Sequence, residues 1–159
     1  MLTRSSEYAI RALSLLASAG ENQSLQSREI AARLGLPPQF LTKILRRLTA
    51  TGLVTSQRGR SGGFRLGRPP QQISLLEVVM PFEEARTEVT CVLGQAYCSD
   101  EDACPLHRPL TEIRSRFLDV LEATTLAAVA ERAIRHGSRL EAGCATERSA
   151  HLGSTIGGS

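Results

Sequence analysis

The chain has 159 residues, a formal net charge of +3, no Trp and four Cys. This length fits one domain, or one domain with an added dimerisation element. No apolar run approaches the roughly 18 residues of a membrane span, and the first residues lack the basic and apolar order of a signal peptide. We therefore expect a cytoplasmic protein that contacts no membrane, whose reduced thiols suit metal or redox chemistry better than a disulfide framework.

Three helices are predicted in the first fifty residues. Apolar side chains at helical spacing predict a helix over about 5–19. A second helix is predicted to begin with Ser27 as its N-cap and to end at Gly35. The third opens at Pro38, where proline is tolerated in the first helical position, and ends at Gly52.

A β-hairpin and three further helices are predicted after that. Residues 53–58 and 64–66 read as two strands joined by a glycine-rich turn. Ser74 and Glu77 match a capping box, and the helix that follows is expected to end near Pro81. A longer helix is predicted over about 109–122, and a short one after the capping pair Thr124-Thr125.

The predicted order of elements is that of a winged helix-turn-helix, so the fold class is mainly α with a small β-hairpin wing. Residues 1–70 carry 11 Arg and Lys against three Glu, a net charge of +8, whereas residues 71–136 carry −5. This asymmetry favours nucleic-acid contact by the first segment, with the third helix in the major groove. The open alternatives are a winged helix that contacts protein and a helical bundle with solvated arginines.

We expect the DNA contacts to lie on the second and third helices and on the wing. Gln39 and Thr42 are placed to reach base edges, while Lys43 and Arg46 are better suited to phosphates. The candidate DNA-binding residues are Arg28, Pro38, Gln39, Thr42, Lys43, Arg46, Arg47, Arg58, Arg60, Ser61 and Arg65.

Three cysteines and one histidine form a second candidate site. Cys91, Cys98 and Cys104 lie within 14 residues, and His107 follows the last of them with two residues between. Three thiols so close together indicate an iron–sulfur cluster or a closed zinc site, and spacing alone does not separate the two. Thiols that are merely buried, or that lie on a mobile loop, are the remaining alternative. Cys144 lies in a Gly- and Ser-rich segment and is not expected to be a ligand.

These features together resemble the Rrf2 family of bacterial transcription regulators over about residues 1–135. The resemblance rests on YAIRAL at 8–13, RGRSGGFRLG at 58–67, ISLLEVV at 73–79 and the cysteine triplet. It implies a homodimer formed through the helix at about 109–122, binding to near-palindromic operators in double-stranded DNA, and a 2Fe–2S or 4Fe–4S cluster on the three cysteines.

The resemblance offers two candidates for the fourth ligand of the cluster. His107 lies where IscR-like members have a histidine, and Glu7 lies where NsrR-like members have a carboxylate contributed by the partner subunit. Glu7 is also a residue type that a helix N-terminus favours without any ligand role, and His107 could be an ordinary surface histidine near a helix start. Both candidates stay open.

The function predicted from the sequence is that of a repressor controlled by a cluster that senses nitric oxide, redox or iron status. The alternatives are a zinc-stabilised winged-helix module for protein or RNA contact, and a cluster-free thiol switch of the same fold. An enzyme is not expected, because no catalytic triad, P-loop or dinucleotide fingerprint occurs. We divide the chain into a DNA-binding domain at 1–70, a cluster loop and dimerisation helices at 71–136, and a mostly disordered tail at 137–159.

Overall fold

The computed structural model describes residues 2–20, 23–57, 59, 62–83 and 103–135. They form six α-helices, one two-stranded antiparallel hairpin and one 3-10 turn. The mainly helical fold class with a hairpin wing is confirmed. The elements are α1 (Arg4–Ala19), α2 (Ser27–Leu34), α3 (Pro38–Ala50), β1 (Val54–Gln57), β2 (Gly63–Leu66), the 3-10 turn (Pro70–Gln72), α4 (Leu75–Glu83), α5 (His107–Ala123) and α6 (Leu126–Arg135).

Helix α1 lies at the centre of the fold. It packs against α2, α3, α4, α6 and β2, and its buried side chains include Ala9, Ala12, Leu13 and Leu16. Three- and four-residue spacing places these side chains on one helix face, and the small alanines allow close approach by neighbouring helices. A second, smaller cluster of buried side chains joins α4 to α5 through Leu75, Val79 and Leu121.

The starts of α4 and α2 test the capping residues predicted from the sequence. At α4 the capping box is confirmed: Glu77 N donates to Ser74 Oγ at 3.2 Å, and Ser74 N donates to Glu77 Oε2 at 3.0 Å. At α2 the sequence expectation is wrong by one residue. Gln26 occupies the N-cap position without a side-chain hydrogen bond, and Ser27 is already helical.

Two helices extend a little beyond the prolines at which they were expected to end or begin. Helix α4 continues through Pro81 and ends at Glu83, two residues beyond the proline. Helix α5 begins at His107 rather than at Pro109. Pro109 then lies in the first turn, where backbone N–H groups have no partner within the helix.

The wing is attached to the start of α2 by backbone pairing that the sequence did not predict. Strands β1 and β2 pair from Val54–Leu66 to Gln57–Gly63. In addition, Leu25 N donates to Phe64 O at 3.0 Å and Phe64 N donates to Leu25 O at 2.9 Å. Leu25 therefore acts as a one-residue third strand and fixes the hairpin against the helical body.

A second isolated bridge joins the start of α4 to the start of α6. Leu75 N donates to Thr124 O at 2.9 Å, and Leu126 N donates to Ile73 O at 2.8 Å. Ala128 N donates to Thr125 Oγ1 at 3.3 Å, which agrees with the predicted capping role of the threonine pair. The bridge brings α6 onto α1, so a segment after residue 120 completes the core that begins at residue 9.

No helix among residues 2–20, 23–83 and 103–135, as far as these are described, combines the length and apolarity that a bilayer crossing requires. The expected disorder of residues 137–159 concerns a segment outside the described residues. The three-part division of the chain stays a prediction.

Candidate nucleic-acid interface and metal site

Contacts between α1 and α3 determine which face of α3 points outward. The Tyr8 and Phe40 rings meet edge to face, with centroids 5.9 Å apart and an interplanar angle of 86°. Leu41, Leu45 and Leu48 are fully buried on the same side of α3. The opposite face of the helix is therefore left for solvent or for a ligand.

That outer face of α3 carries the residues proposed from the sequence. Gln39, Lys43 and Arg46 are exposed, as is Pro38 at the helix start. Thr42 is half-buried, and its hydroxyl donates to Pro38 O at 2.8 Å. With the Thr42 hydroxyl hydrogen used within the helix, this side chain offers a base an acceptor oxygen and a methyl group.

Arg47 differs from the other basic residues of α3. It is exposed, but its guanidinium carbon lies 5.6 Å from the centre of the Phe82 ring on α4, which is cation–π geometry. The sequence grouped Arg47 with the DNA contacts and carried no signal for this contact with a residue 35 positions away. Arg28 lies exposed on α2.

The wing places one basic side chain across its own hairpin. Arg65 Nε donates to Thr55 Oγ1 at 3.2 Å, from one strand to the other. Gly59 has a φ of 117°, a conformation that glycine adopts without strain. The other wing candidates, Arg58, Arg60 and Ser61, lie outside the described residues.

The base of the wing is tied to α4 by an ion pair between Arg68 and Glu77. Partial burial opposes ionisation of Glu77, but the backbone N–H of Ser74 and the Arg68 guanidinium outweigh it and lower the pKa of this carboxyl. The carboxylate that caps α4 thus also anchors the chain leaving the wing.

The structure brings two of the candidate metal ligands into one turn. Cys104 is a half-buried free thiol, and His107 N donates to Cys104 O at 3.0 Å. His107 is 8% exposed, so the expectation of an ordinary surface histidine is wrong. A thiol and a buried imidazole at this spacing are a donor set suited to iron or zinc.

The other two thiols, Cys91 and Cys98, lie outside the described residues. Within the described part of the chain, no group of three or more His, Cys, Asp and Glu side chains comes together as a metal site. Of the candidate ligands after residue 90, the described part contains Cys104 and His107.

Glu7 lies in the first turn of α1, where its backbone N–H donates to Thr3 O at 3.0 Å. The same turn is held by a residue that the sequence did not single out. Glu83 Oε1 accepts hydrogen bonds from Thr3 N and from Ser6 Oγ, both at 2.7 Å. The partners are 80 and 77 residues apart, so no local pattern could have revealed them.

A family model described as an iron-dependent transcriptional regulator, Rrf2, matches residues 2–132. The chain belongs to the Rrf2 family. Its relatives include a Rhodobacter capsulatus regulator described as Rrf2-like, which is 35% identical over 134 residues, covering 79% of this chain and 89% of the relative. NsrR of Bacillus licheniformis is 33% identical over 126 residues, covering 79% and 88%. These relatives are described as transcriptional regulators and not as enzymes.

Solved structures agree with this assignment. CymR of B. subtilis, described as the global cysteine regulator, has a TM-score of 0.69 and 26% identity, with 83% of this chain and 97% of that chain covered. IscR of T. potens has a TM-score of 0.71 with 87% and 91% covered, and at 22% identity it shows the fold alone.

Proposed function

We propose that this Rrf2 regulator is a homodimeric repressor whose operator binding is controlled by an iron–sulfur cluster. The observation that carries the proposal is the pairing of two features in one fold: an exposed polar and basic face on α3, and a half-buried thiol in the turn before a buried histidine at the start of α5. The first suits DNA, and the second suits a soft metal. When bound, the cluster supplies a reaction with nitric oxide or oxidants, or a dependence on iron, that protein side chains alone lack.

DNA binding is supported by the composition of the α3 face and the wing. Gln39 is placed near the N-terminus of α3, the part of a recognition helix that reaches base edges. Lys43 and Arg46 follow on the exposed face and provide charge for phosphates. Each phosphate that the protein neutralises adds about 0.9 to the slope of log affinity against log salt concentration.

A homodimer is supported by apolar side chains that α5 leaves in solvent. Leu110, Ile113 and Val120 are exposed, Val120 to 61%. Next to them lies an apolar groove of about 360 Å³ between α4 and α5, which Val79 and Phe117 help to line. Covering such side chains with a second α5 removes apolar area from water, and a two-fold dimer would fit a near-palindromic operator.

The cluster would be held by Cys91, Cys98 and Cys104, with His107 of the same chain or Glu7 of the partner subunit as fourth ligand. Cys104 and His107 share one turn, so their donor atoms can serve one centre. Glu7 lies in a helical turn that Glu83 holds in place, which suits a ligand that reaches another subunit. If His107 is the ligand, the first turn of α5 takes part in sensing. If Glu7 is the ligand, the first turn of α1 does.

Anaerobic purification with iron and acid-labile sulfide stoichiometry tests this proposal. We expect both elements in the wild-type protein, and loss of iron in either His107→Ala or Glu7→Ala but not in the other. Arg33→Ala is the surface control. Arg33 is exposed on α2, where it pairs with Glu29 at 2.6 Å, and it is not a candidate ligand. Zinc without sulfide would instead support the zinc-stabilised module for protein or RNA contact, and loaded protein that binds its own promoter no better than apo protein would refute the coupling.

A second candidate is a thiol switch without a cluster. It is favoured by the structure of oxidised CymR from Staphylococcus aureus, which has a TM-score of 0.67 and 25% identity and covers 82% of this chain. Cys104 is a free, half-buried thiol and could respond to oxidants directly. Protein that contains no iron, sulfide or zinc but loses operator binding reversibly on oxidation would establish this alternative.

A further inference from the structure

The last turn of α4 contacts two other helices and leads directly into the segment that contains two of the cysteines. Helix α4 spans Leu75–Glu83, and the chain then enters residues 84–102, which contain Cys91 and Cys98. The two final residues of α4 each contact a different helix of the winged-helix unit. Phe82 contacts α3, and Glu83 contacts α1.

The Glu83 contact is a compact hydrogen-bond network. One carboxylate oxygen accepts from Thr3 N and from Ser6 Oγ at 2.7 Å each. Thr3 Oγ1 also lies 2.9 Å from Ser6 Oγ and accepts from Ser6 N at 3.2 Å. Hydrogen bonds to an ionised acceptor are stronger than neutral ones, and a negative charge beside a helix N-terminus is favoured. Ser6 is fully buried, so little water can replace this acceptor.

The Phe82 contact reaches the recognition helix. Arg47 lies over the Phe82 ring at 5.6 Å, and Phe82 itself packs against the main hydrophobic core. Arg47 is one residue after Arg46, a candidate DNA contact. A displacement of the Phe82 ring therefore changes the surroundings of α3 directly, without passing through another helix.

We propose that Phe82 and Glu83 form a joint that transmits the state of the cysteine segment to α1 and α3, with Glu83 acting as a positioning residue. This inference rests on the proposed function. Because Phe82 and Glu83 are adjacent and directly precede the cysteine segment, a displacement of the chain at residue 83 disturbs both the contact with Arg47 and the hydrogen bonds to Thr3 and Ser6. Through Glu83 it alters the first turn of α1, which carries Glu7, and through Phe82 it alters the environment of Arg47.

The test compares operator affinity of the cluster-loaded and apo proteins, using a DNA duplex from the protein's own promoter. The variants are Glu83→Ala, the milder Glu83→Gln, and Phe82→Leu. Phe82→Tyr retains the ring face for Arg47, and Glu122→Gln alters an exposed glutamate on α5. Phe82 is varied instead of Arg47 because Arg47 is itself a candidate DNA contact.

We expect the loaded-to-apo affinity ratio to fall about fivefold or more in Glu83→Ala and Phe82→Leu, the low end of common coupling strengths. It should fall less in Glu83→Gln, and should stay unchanged in Phe82→Tyr and Glu122→Gln. Iron and sulfide content should remain at the wild-type level in every variant. In the apo protein, the Ser6 and Glu7 amides should exchange hydrogen faster in Glu83→Ala, because both donate to Thr3 and the carboxylate that holds Thr3 through its N–H is gone.

Three outcomes would overturn the joint. The first is an unchanged affinity ratio in Glu83→Ala and Phe82→Leu despite faster amide exchange, which would make the contacts purely structural. The second is loss of iron from folded Glu83→Gln, which would place Glu83 in the metal site. The third is unchanged exchange at Ser6 in Glu83→Ala. Wild-type protein without iron and sulfide is a separate result, because it refutes the proposed function and not the hydrogen bonds of Glu83.

Discussion

Replacing Gly63 with alanine tests how the wing is attached to the helical body. A Cβ atom at this position would lie 2.7 Å from Leu25 O and 2.9 Å from Leu25 C. Both are backbone atoms of the residue that pairs with Phe64, so neither can turn aside as a flexible side chain would. Strand β2 must therefore move away from Leu25 if the methyl group is to fit.

The cost follows from the contacts that this movement breaks. Leu25 and Phe64 exchange two backbone hydrogen bonds, at 3.0 and 2.9 Å. At about 0.5–1.5 kcal/mol net for each bond, their loss costs about 1–3 kcal/mol. Alanine restricts the unfolded chain more than glycine does, which returns about 0.4–1 kcal/mol. The two ranges combine to a net loss between about 0 and about 2.6 kcal/mol, and we expect a value near the midpoint, about 1.3 kcal/mol, in the free energy of unfolding.

Urea unfolding followed by circular dichroism measures this loss. Gln57→Ala is the matched control, because Gln57 is the exposed residue that pairs with Gly63 across the hairpin. Operator affinity should also fall in Gly63→Ala, since Arg65, a candidate DNA contact, lies on β2 and moves with it. If Gly63→Ala unfolds within about 0.5 kcal/mol of both the wild type and Gln57→Ala, a range typical of neutral surface changes, the reasoning about wing attachment is wrong.

Three further predictions concern charge and burial. Glu77→Gln keeps the capping box but removes the ion pair with Arg68. Because the folded pKa of Glu77 is lowered, the stabilisation that its carboxylate provides should be present at pH 7 and lost as the pH falls through that lowered pKa. The acid unfolding curves of the wild type and Glu77→Gln should therefore converge at that pH. Ser14 Oγ is buried without a hydrogen-bond partner, so Ser14→Ala should raise the free energy of unfolding by about 1 kcal/mol, and a destabilised variant would contradict this. Arg46→Ala should reduce the salt slope of operator binding by about 0.9, measured by fluorescence anisotropy, and an unchanged slope would remove Arg46 from the phosphate contacts.

Most helices could be predicted because their signals are local. The start of α3 at Pro38 follows from the fixed backbone angle of proline. The capping box of Ser74 and Glu77 follows from two residues three positions apart. The prolines at 81 and 109 located their helix ends to within two residues: α4 ends at Glu83, and α5 begins at His107, with Pro109 in its first turn, where proline is tolerated.

The candidate sites were predictable in part. Gln39, Lys43 and Arg46 lie on the exposed face of α3, as helical periodicity required once Leu41 and Leu45 were placed in the core. Periodicity assigns a face but not a partner. The cation–π contact of Arg47 and the bonded hydroxyl of Thr42 therefore became known only from coordinates.

The sequence by itself determined the order of the elements, the basic character of the exposed α3 face and the spacing of the cysteines. Tertiary structure alone decided that Leu25 extends the wing, that His107 is buried, and that Glu83 holds the first turn of α1. The physical reason is the separation along the chain of the residues that interact. Helix periodicity, caps and turns arise among residues a few positions apart. A single half-buried carboxylate or backbone bridge joins segments up to 80 residues apart and leaves no repeating pattern in the chain.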